Sequence, residues 1–232
     1  MSGSDHRSEL MELLGGMDLQ QMVERFGPLH AERVIALLRQ ACLSLSEAHE
    51  CELVHRDIKP ANLCVTKLGP EYDFVKVLDF GMVTAAPAED VTRLTAQGFA
   101  HGTPAFMAPE LALGEVEVDG RADLYSLGCS AYWLLTGRPV FEARNPTSML
   151  MQHVQSTPIP PSRVSELEIS EALEGAVMRC LDKDPERRPA SALALDEELG
   201  RIRVGAPWTQ ERARQWWQMH APEGLQGSHK PR

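Results

Sequence analysis

The chain has 232 residues, 43% of them hydrophobic and 24% charged, with a formal net charge of -10. That length and apolar content suffice for one buried core. The acidic balance, with no cluster of Lys and Arg, excludes a general nucleic-acid binder, whose phosphate contacts need such a cluster.

Residues 17–26 read as a short amphipathic segment closed by Gly27-Pro28. From about His30 to Glu50, Val34, Leu38, Ala41, Leu45 and Ala48 recur at steps of four and three, which predicts a helix with one core-facing stripe. Two β-like runs, 63–65 and 74–78, flank a Gly69-Pro70 turn and predict a small hairpin. Residues 85–101 have little apolar periodicity and read as a flexible segment. The stretch 124–135 is apolar nearly all round and stops at Gly137, as a helix buried in the middle of the domain would. Three further helices are predicted at 146–155, 169–181 and 190–204, with Pro158-Ile-Pro-Pro and Asp184-Pro185 as breakers. Trp208, Trp216 and Trp217 in the tail are expected to dock on the domain, and the last eight or so residues to be disordered.

Five scattered cysteines, Cys42, Cys51, Cys64, Cys129 and Cys180, form no C-x-x-C pair, which suits a reducing cytosol better than a disulfide scaffold. The polar start lacks the apolar core of a signal peptide, and no run is long enough to span a bilayer. A cytoplasmic location is expected, with no membrane segment in this chain.

The chemistry concentrates in His55-Arg-Asp-Ile-Lys-Pro-Ala-Asn62. Transfer of a phosphoryl group to a hydroxyl needs a carboxylate near the hydroxyl, cations near the moving phosphate and oxygen ligands for Mg2+. Asp57 can take or orient the hydroxyl proton, Lys59 can neutralise charge on the phosphate, and Asn62 can offer an amide oxygen to the metal. Asp79-Phe80-Gly81 follows the second β run, where a carboxylate at a strand end suits Mg2+ and Gly81 lets the backbone turn. Alone, such a tripeptide is more often a structural turn.

Together with Ala108-Pro-Glu110, these motifs stand in the order found in protein kinases, and the chain resembles the C-terminal lobe of a eukaryotic-type Ser/Thr protein kinase over roughly positions 10–205. The resemblance implies a mainly α fold with a small β-hairpin element, ATP and Mg2+ as cofactors, and a protein substrate carrying Ser or Thr. It casts Asp57 and Lys59 as catalytic, and Asn62 and Asp79 as metal ligands. Asp123 becomes the buried aspartate that holds the catalytic-loop backbone, and Arg188 the partner of Glu110. Lys59 and Thr103 resemble the Ser/Thr branch. His55 and Phe80 belong to the same motifs, and Arg56 beside Asp57 marks the subtype activated by loop phosphorylation, for which Thr92 and Thr95 are the first candidates and Thr84 the next.

Residues 11–18 look like the hinge between lobes, where Glu12 and Leu14 would bond the adenine through their backbone, Asp18 would reach the ribose, and Cys64 would lie under the base. A helix is the competing reading of that start. No lysine precedes Lys59 and no G-x-G-x-x-G occurs, so the N-terminal β-rich lobe is expected to be missing or supplied by a separate polypeptide. Met11, Leu13, Leu63, Cys64 and Phe80 would then face water. The expected organisation is a disordered start at 1–9, a truncated kinase domain of hinge and C-terminal lobe at 10–205, and a Trp-containing tail at 206–232. The alternative reading is an inactive kinase-like lobe that binds proteins, or an inert truncation product. Sequences ending in Pro207-Trp-Thr and Ala213-Arg-Gln-Trp-Trp resemble tails of bacterial signalling kinases.

Overall fold

A computed structural model describes residues 16–80 and 104–221. Met11, Glu12, Leu13 and Leu14 of the expected hinge, Gly81, Thr84, Thr92, Thr95, Thr103, the segment 85–101 and the two chain ends lie outside the described residues.

Strand β1 (Met17–Asp18) leads into helix α1 (Leu19–Phe26). Asp18 caps that helix, its Oδ1 accepting the Gln21 N–H at 2.7 Å. Helix α2 (Ala31–Glu50) buries Val34, Leu38, Ala41 and Leu45, the stripe that the spacing marks. Strands β2 (Leu63–Leu68) and β3 (Glu71–Val77) are antiparallel and joined at Gly69-Pro70. The hairpin is not isolated: β1 pairs with β2, Met17 opposite Val65 and Asp18 opposite Cys64, giving a three-stranded sheet in the order β1-β2-β3. Two residues are too short to show alternation in the sequence, so β1 was invisible there.

The expectation that Leu63 and Cys64 face water is overturned. Leu63 points into the main core, and Cys64, between Asp18 and Lys76 across the sheet, is also fully buried. Phe80 is partly buried against the core.

After α3 (Pro109–Ala112) comes α4 (Arg121–Thr136), which has 14 of its 16 residues buried and therefore forms the axis of the domain. Its hydroxyls cost little there, because Ser126, Ser130 and Thr136 each donate to the carbonyl four residues back. Gly137 ends it in the left-handed region, φ 68°, with its N–H on Trp133 O. Helices α5 (Pro146–Gln155), α6 (Glu171–Cys180), α7 (Ala192–Arg201) and α8 (Gln210–His220) each begin at a side-chain cap, Asn145, Ser170, Ser191 and Thr209. Those caps start α6 and α7 slightly later than the apolar spacing alone suggests.

Helix α8 is fastened to the sheet side of the domain. Asp73, 2% exposed, accepts N–H groups from Arg33 (Nε and Nη2, both 2.9 Å), Trp208 (Nε1, 2.8 Å) and Trp217 (Nε1, 2.6 Å). The Arg33 guanidinium lies 3.8 Å from the Trp216 ring centre and 4.9 Å from that of Trp208. Gln210 accepts the Tyr72 N–H and donates to the Tyr72 carbonyl. No helix among the described residues is long and apolar enough to cross a membrane.

Candidate active site

The loop after α2 folds around Asp57. Lys59 Nζ reaches both of its carboxylate oxygens, at 3.0 and 2.8 Å, and Asn62 Nδ2 donates to its carbonyl at 2.7 Å and to Oδ2 at 3.1 Å. Both neighbours of the Asn62 amide at Asp57 are acceptors, so the nitrogen must face them and the oxygen must point elsewhere. Asn62 is fully buried, and its Oδ1 has no hydrogen-bond partner. A bare buried amide oxygen beside a carboxylate suits a hard cation. Among the described residues no three His, Cys, Asp or Glu side chains cluster as a metal cage. A metal here would depend on Asn62, Asp79 and oxygens brought by its ligand, which is the usual arrangement for Mg2+ with phosphates.

Beneath the loop, Asp123 is fully buried at the first turn of α4. Its Oδ2 accepts the His55 N–H at 2.8 Å, and its Oδ1 accepts the Arg56 N–H at 2.8 Å. Those two bonds hold Arg56 in the left-handed region, φ 62°. His49, which the motifs do not single out, supplies a third contact, Nε2 to Asp123 Oδ2 at 2.8 Å. Gly120 makes room for it: a Cβ there would lie 2.4 Å from the His49 ring. A glycine three residues before Asp123 is a faint signal, and only the structure connects it with His49.

The second carboxylate is aimed from β3. His55 Nδ1 accepts the Asp57 N–H, which leaves Nε2 to donate to the Leu78 carbonyl at 2.8 Å. The Leu78 N–H in turn bonds Asn62 O at 2.8 Å. Asp79 follows at φ 66°, and Phe80 packs edge-on against the His55 ring at 4.8 Å. The structure thus brings His55, Arg56, Asp57, Lys59, Asn62, Asp79 and Phe80 to one end of the sheet. Lys59 faces Asp57 here and not open space, and Asp18 has one oxygen occupied as a helix cap. Burial lifts the Cys64 thiol to about 11, so it is a small apolar group and not a nucleophile.

Farther along, Glu110 and Arg188 form a buried two-pronged pair, Nη1 to Oε1 at 2.6 Å and Nη2 to Oε2 at 2.8 Å. Arg188 spends its remaining N–H groups on the carbonyls of Arg121, Asp182 and Lys183. The turn Pro104–Phe106, which precedes that anchor in the chain, rests on α4 and α5.

The family model described as a protein kinase domain matches residues 1–199. The Ser/Thr-protein kinase pkn3 of Myxococcus xanthus is 41% identical over 191 residues, which cover 82% of this chain and 35% of that protein. PknB of Mycobacterium leprae is 38% identical over 198 residues, covering 85% of this chain and 30% of PknB. The chain therefore spans about a third of the length of these curated relatives. Among solved structures, the kinase domain of Mycobacterium tuberculosis PknI superposes with a TM-score of 0.56 at 27% identity, covering 80% of this chain and 62% of that one. The Rad53 kinase domain, at 23% identity, shares the fold with a TM-score of 0.64 over 84% of this chain and 69% of its own.

Proposed function

Because the chain belongs to the protein kinase domain family, with bacterial Ser/Thr kinases among its relatives, we propose that it carries the substrate-side and metal-side half of a kinase that moves the ATP γ-phosphate to protein Ser or Thr hydroxyls. The observation that carries this reading is the buried, unpartnered Asn62 Oδ1 beside Asp57. A packing role would have satisfied or removed that oxygen.

In this reading Asp57 receives the hydroxyl proton and orients the hydroxyl toward the phosphate. Lys59, already bonded to Asp57, keeps that carboxylate oriented and brings positive charge to the site where the phosphoryl group passes. Asn62 and Asp79 would hold Mg2+, which would supply positive charge against the phosphates of ATP. Asp123 and His49 keep the loop preorganised, so that little reorganisation accompanies transfer. Glu12 and Leu14 serve the adenine through their backbone, Asp18 the ribose, and Cys64 lies on the base side. Thr92 and Thr95 are the sites whose phosphorylation would recruit Arg56. Turnover requires a Gly-rich roof and a phosphate-binding lysine from residues outside this sequence, in the same polypeptide or another, and the working location is the cytoplasm.

A second reading is a kinase-like module that binds proteins without phosphate transfer. Calorimetric titration with Mg2+ and ATP, beside Asp79→Ala, separates the two. Micromolar binding that vanishes in the variant supports the kinase, and an N-terminal lobe added in trans should then yield phosphorylated Ser or Thr. No binding up to millimolar ATP sinks unaided nucleotide binding and leaves the binding module.

A further inference from the structure

Lys183, just past the end of α6, has no part in the site described above. Its Nζ donates to the Tyr125 hydroxyl at 3.2 Å and lies 4.7 Å from the Phe141 ring centre and 5.4 Å from that of Tyr125. Among the described residues no carboxylate stands within ion-pair distance of it, whereas Lys59 reaches both oxygens of Asp57. Arg188 bears on the same ring, its guanidinium carbon 4.9 Å from the Tyr125 centre, and is held there in part by the Lys183 carbonyl. Two cations therefore share one tyrosine, and of the two only Arg188 has a countercharge, in Glu110.

A guanidinium keeps its proton at any ordinary pH, whereas an ammonium can give one up. The crowding of positive charge is thus relieved at Lys183. Its partner suits both states: the Tyr125 hydroxyl accepts from the ammonium, sending its own proton to His153 Nδ1 at 2.9 Å, and can instead donate to the neutral amine. Burial, with the Arg188 charge behind it, brings the amine from 10.5 down to about 8 against the opposing influence of Cys129 and Asp182. At about pH 7.5 roughly a quarter of such amines are unprotonated, against about one in a thousand for an ordinary lysine. The residue also keeps part of its surface in solvent.

We propose that Lys183, crowded by Arg188 and free of any carboxylate partner, is a modification site that takes activated acyl groups from acyl phosphates or acyl thioesters. The Nζ lone pair attacks the acyl carbonyl carbon and forms a C–N bond, the bond to phosphate or sulfur breaks and leaves with its electron pair, and one amine proton passes to the leaving group. The amide so formed keeps one N–H for the Tyr125 hydroxyl and removes the charge set against Arg188. That charge, after burial, also helps to keep His153 neutral. Acylation therefore returns His153 toward its ordinary range, and the modified domain loses less stability on descending from pH 6.5 to 4. None of this depends on the kinase reading.

Incubation of the wild-type 232-residue chain with acetyl phosphate, and separately with acetyl-coenzyme A, followed by mass spectrometry of each lysine, tests it. Lys183 should acetylate about tenfold faster than the exposed Lys67 near pH 7.5, partial burial and a less basic amine taking back some of the advantage in neutral fraction. Its rate should level off above about pH 8, while that of Lys67 keeps climbing. Unfolding the chain in guanidinium chloride should abolish the preference, since the crowding by Arg188 and the two rings exists only in the fold. Labelling by either donor supports the site and identifies the acyl carrier it accepts. A Lys183 rate at or below that of Lys67 with both donors, a rate that climbs without levelling, or a preference that survives unfolding would each overturn the proposal. Lys183→Gln, which carries the neutral amide of the product, should show the smaller acid loss in denaturant melts, and a loss equal to wild type would overturn the link to His153.

Discussion

Two buried aspartates anchor this domain in different ways. Asp123 spends its oxygens on the main-chain N–H groups of His55 and Arg56 and on the His49 ring. Asp73 spends its oxygens on side chains only, those of Arg33, Trp208 and Trp217. The first fixes the shape of a loop, and the second fastens one part of the chain to another. The contrast teaches that similar burial and donor counts predict different losses: Asp123 should govern rate, Asp73 stability.

The largest expected effect is on the Asp73 side. Asp73→Asn leaves the buried Arg33 without its counter-charge, at a cost of about 3–5 kcal/mol. Thermal unfolding should show a fall of roughly 10 °C, while the loop around Asp57 keeps its activity below the transition. Asp123→Asn should do the reverse. In the kinase completed by its N-terminal lobe, kcat should fall about 100-fold as the loop loses its aim, with a smaller change in Tm. Equal losses of both kinds in both variants would dissolve the contrast.

Acid gives a third probe, centred on α5. The folded pKa of His153 is depressed from 6.5 to about 4, so between those values the unfolded chain binds the extra proton and stability rises with pH. The domain should hold its full His153 contribution above pH 6.5 and lose about 3 kcal/mol on descending to pH 4. Denaturant melts across that window should lose this slope in His153→Leu. The smallest effect belongs to Trp217→Phe, which keeps a ring in place and removes one N–H from Asp73. A loss of about 2 kcal/mol is expected by chemical denaturation, with no change in turnover.

The contrast also explains what could be read in advance. Asp123 lies in a run of specified residues at fixed spacing, because a loop of fixed shape demands fixed partners in the chain. The central helix was equally legible, since burial on all sides leaves its apolar letters unbroken up to Gly137. Asp73 carries no such mark: its partners are 40, 135 and 144 residues away, and nothing local distinguishes it from a turn-side acid. His153 was hidden for the same reason, its partner Tyr125 lying on α4 and the tyrosine's own partner Lys183 beyond the end of α6. Strand β1 is too short to alternate, and the expectation that Leu63 and Cys64 face water rests on a missing N-terminal lobe, whereas both lie buried within β2, on which β1 pairs.

Gln210 answers Tyr72 with both halves of its amide, accepting its N–H and donating to its carbonyl. Since β3 is an edge strand of the sheet among the described residues, this side chain fills hydrogen-bonding positions that another molecule's strand would otherwise seek. A chain cut before residue 206 would present that row of backbone groups together with the apolar bed of Trp217, and self-association through strand addition should follow. The tail, besides tying the domain together, therefore acts as a guard against polymerisation.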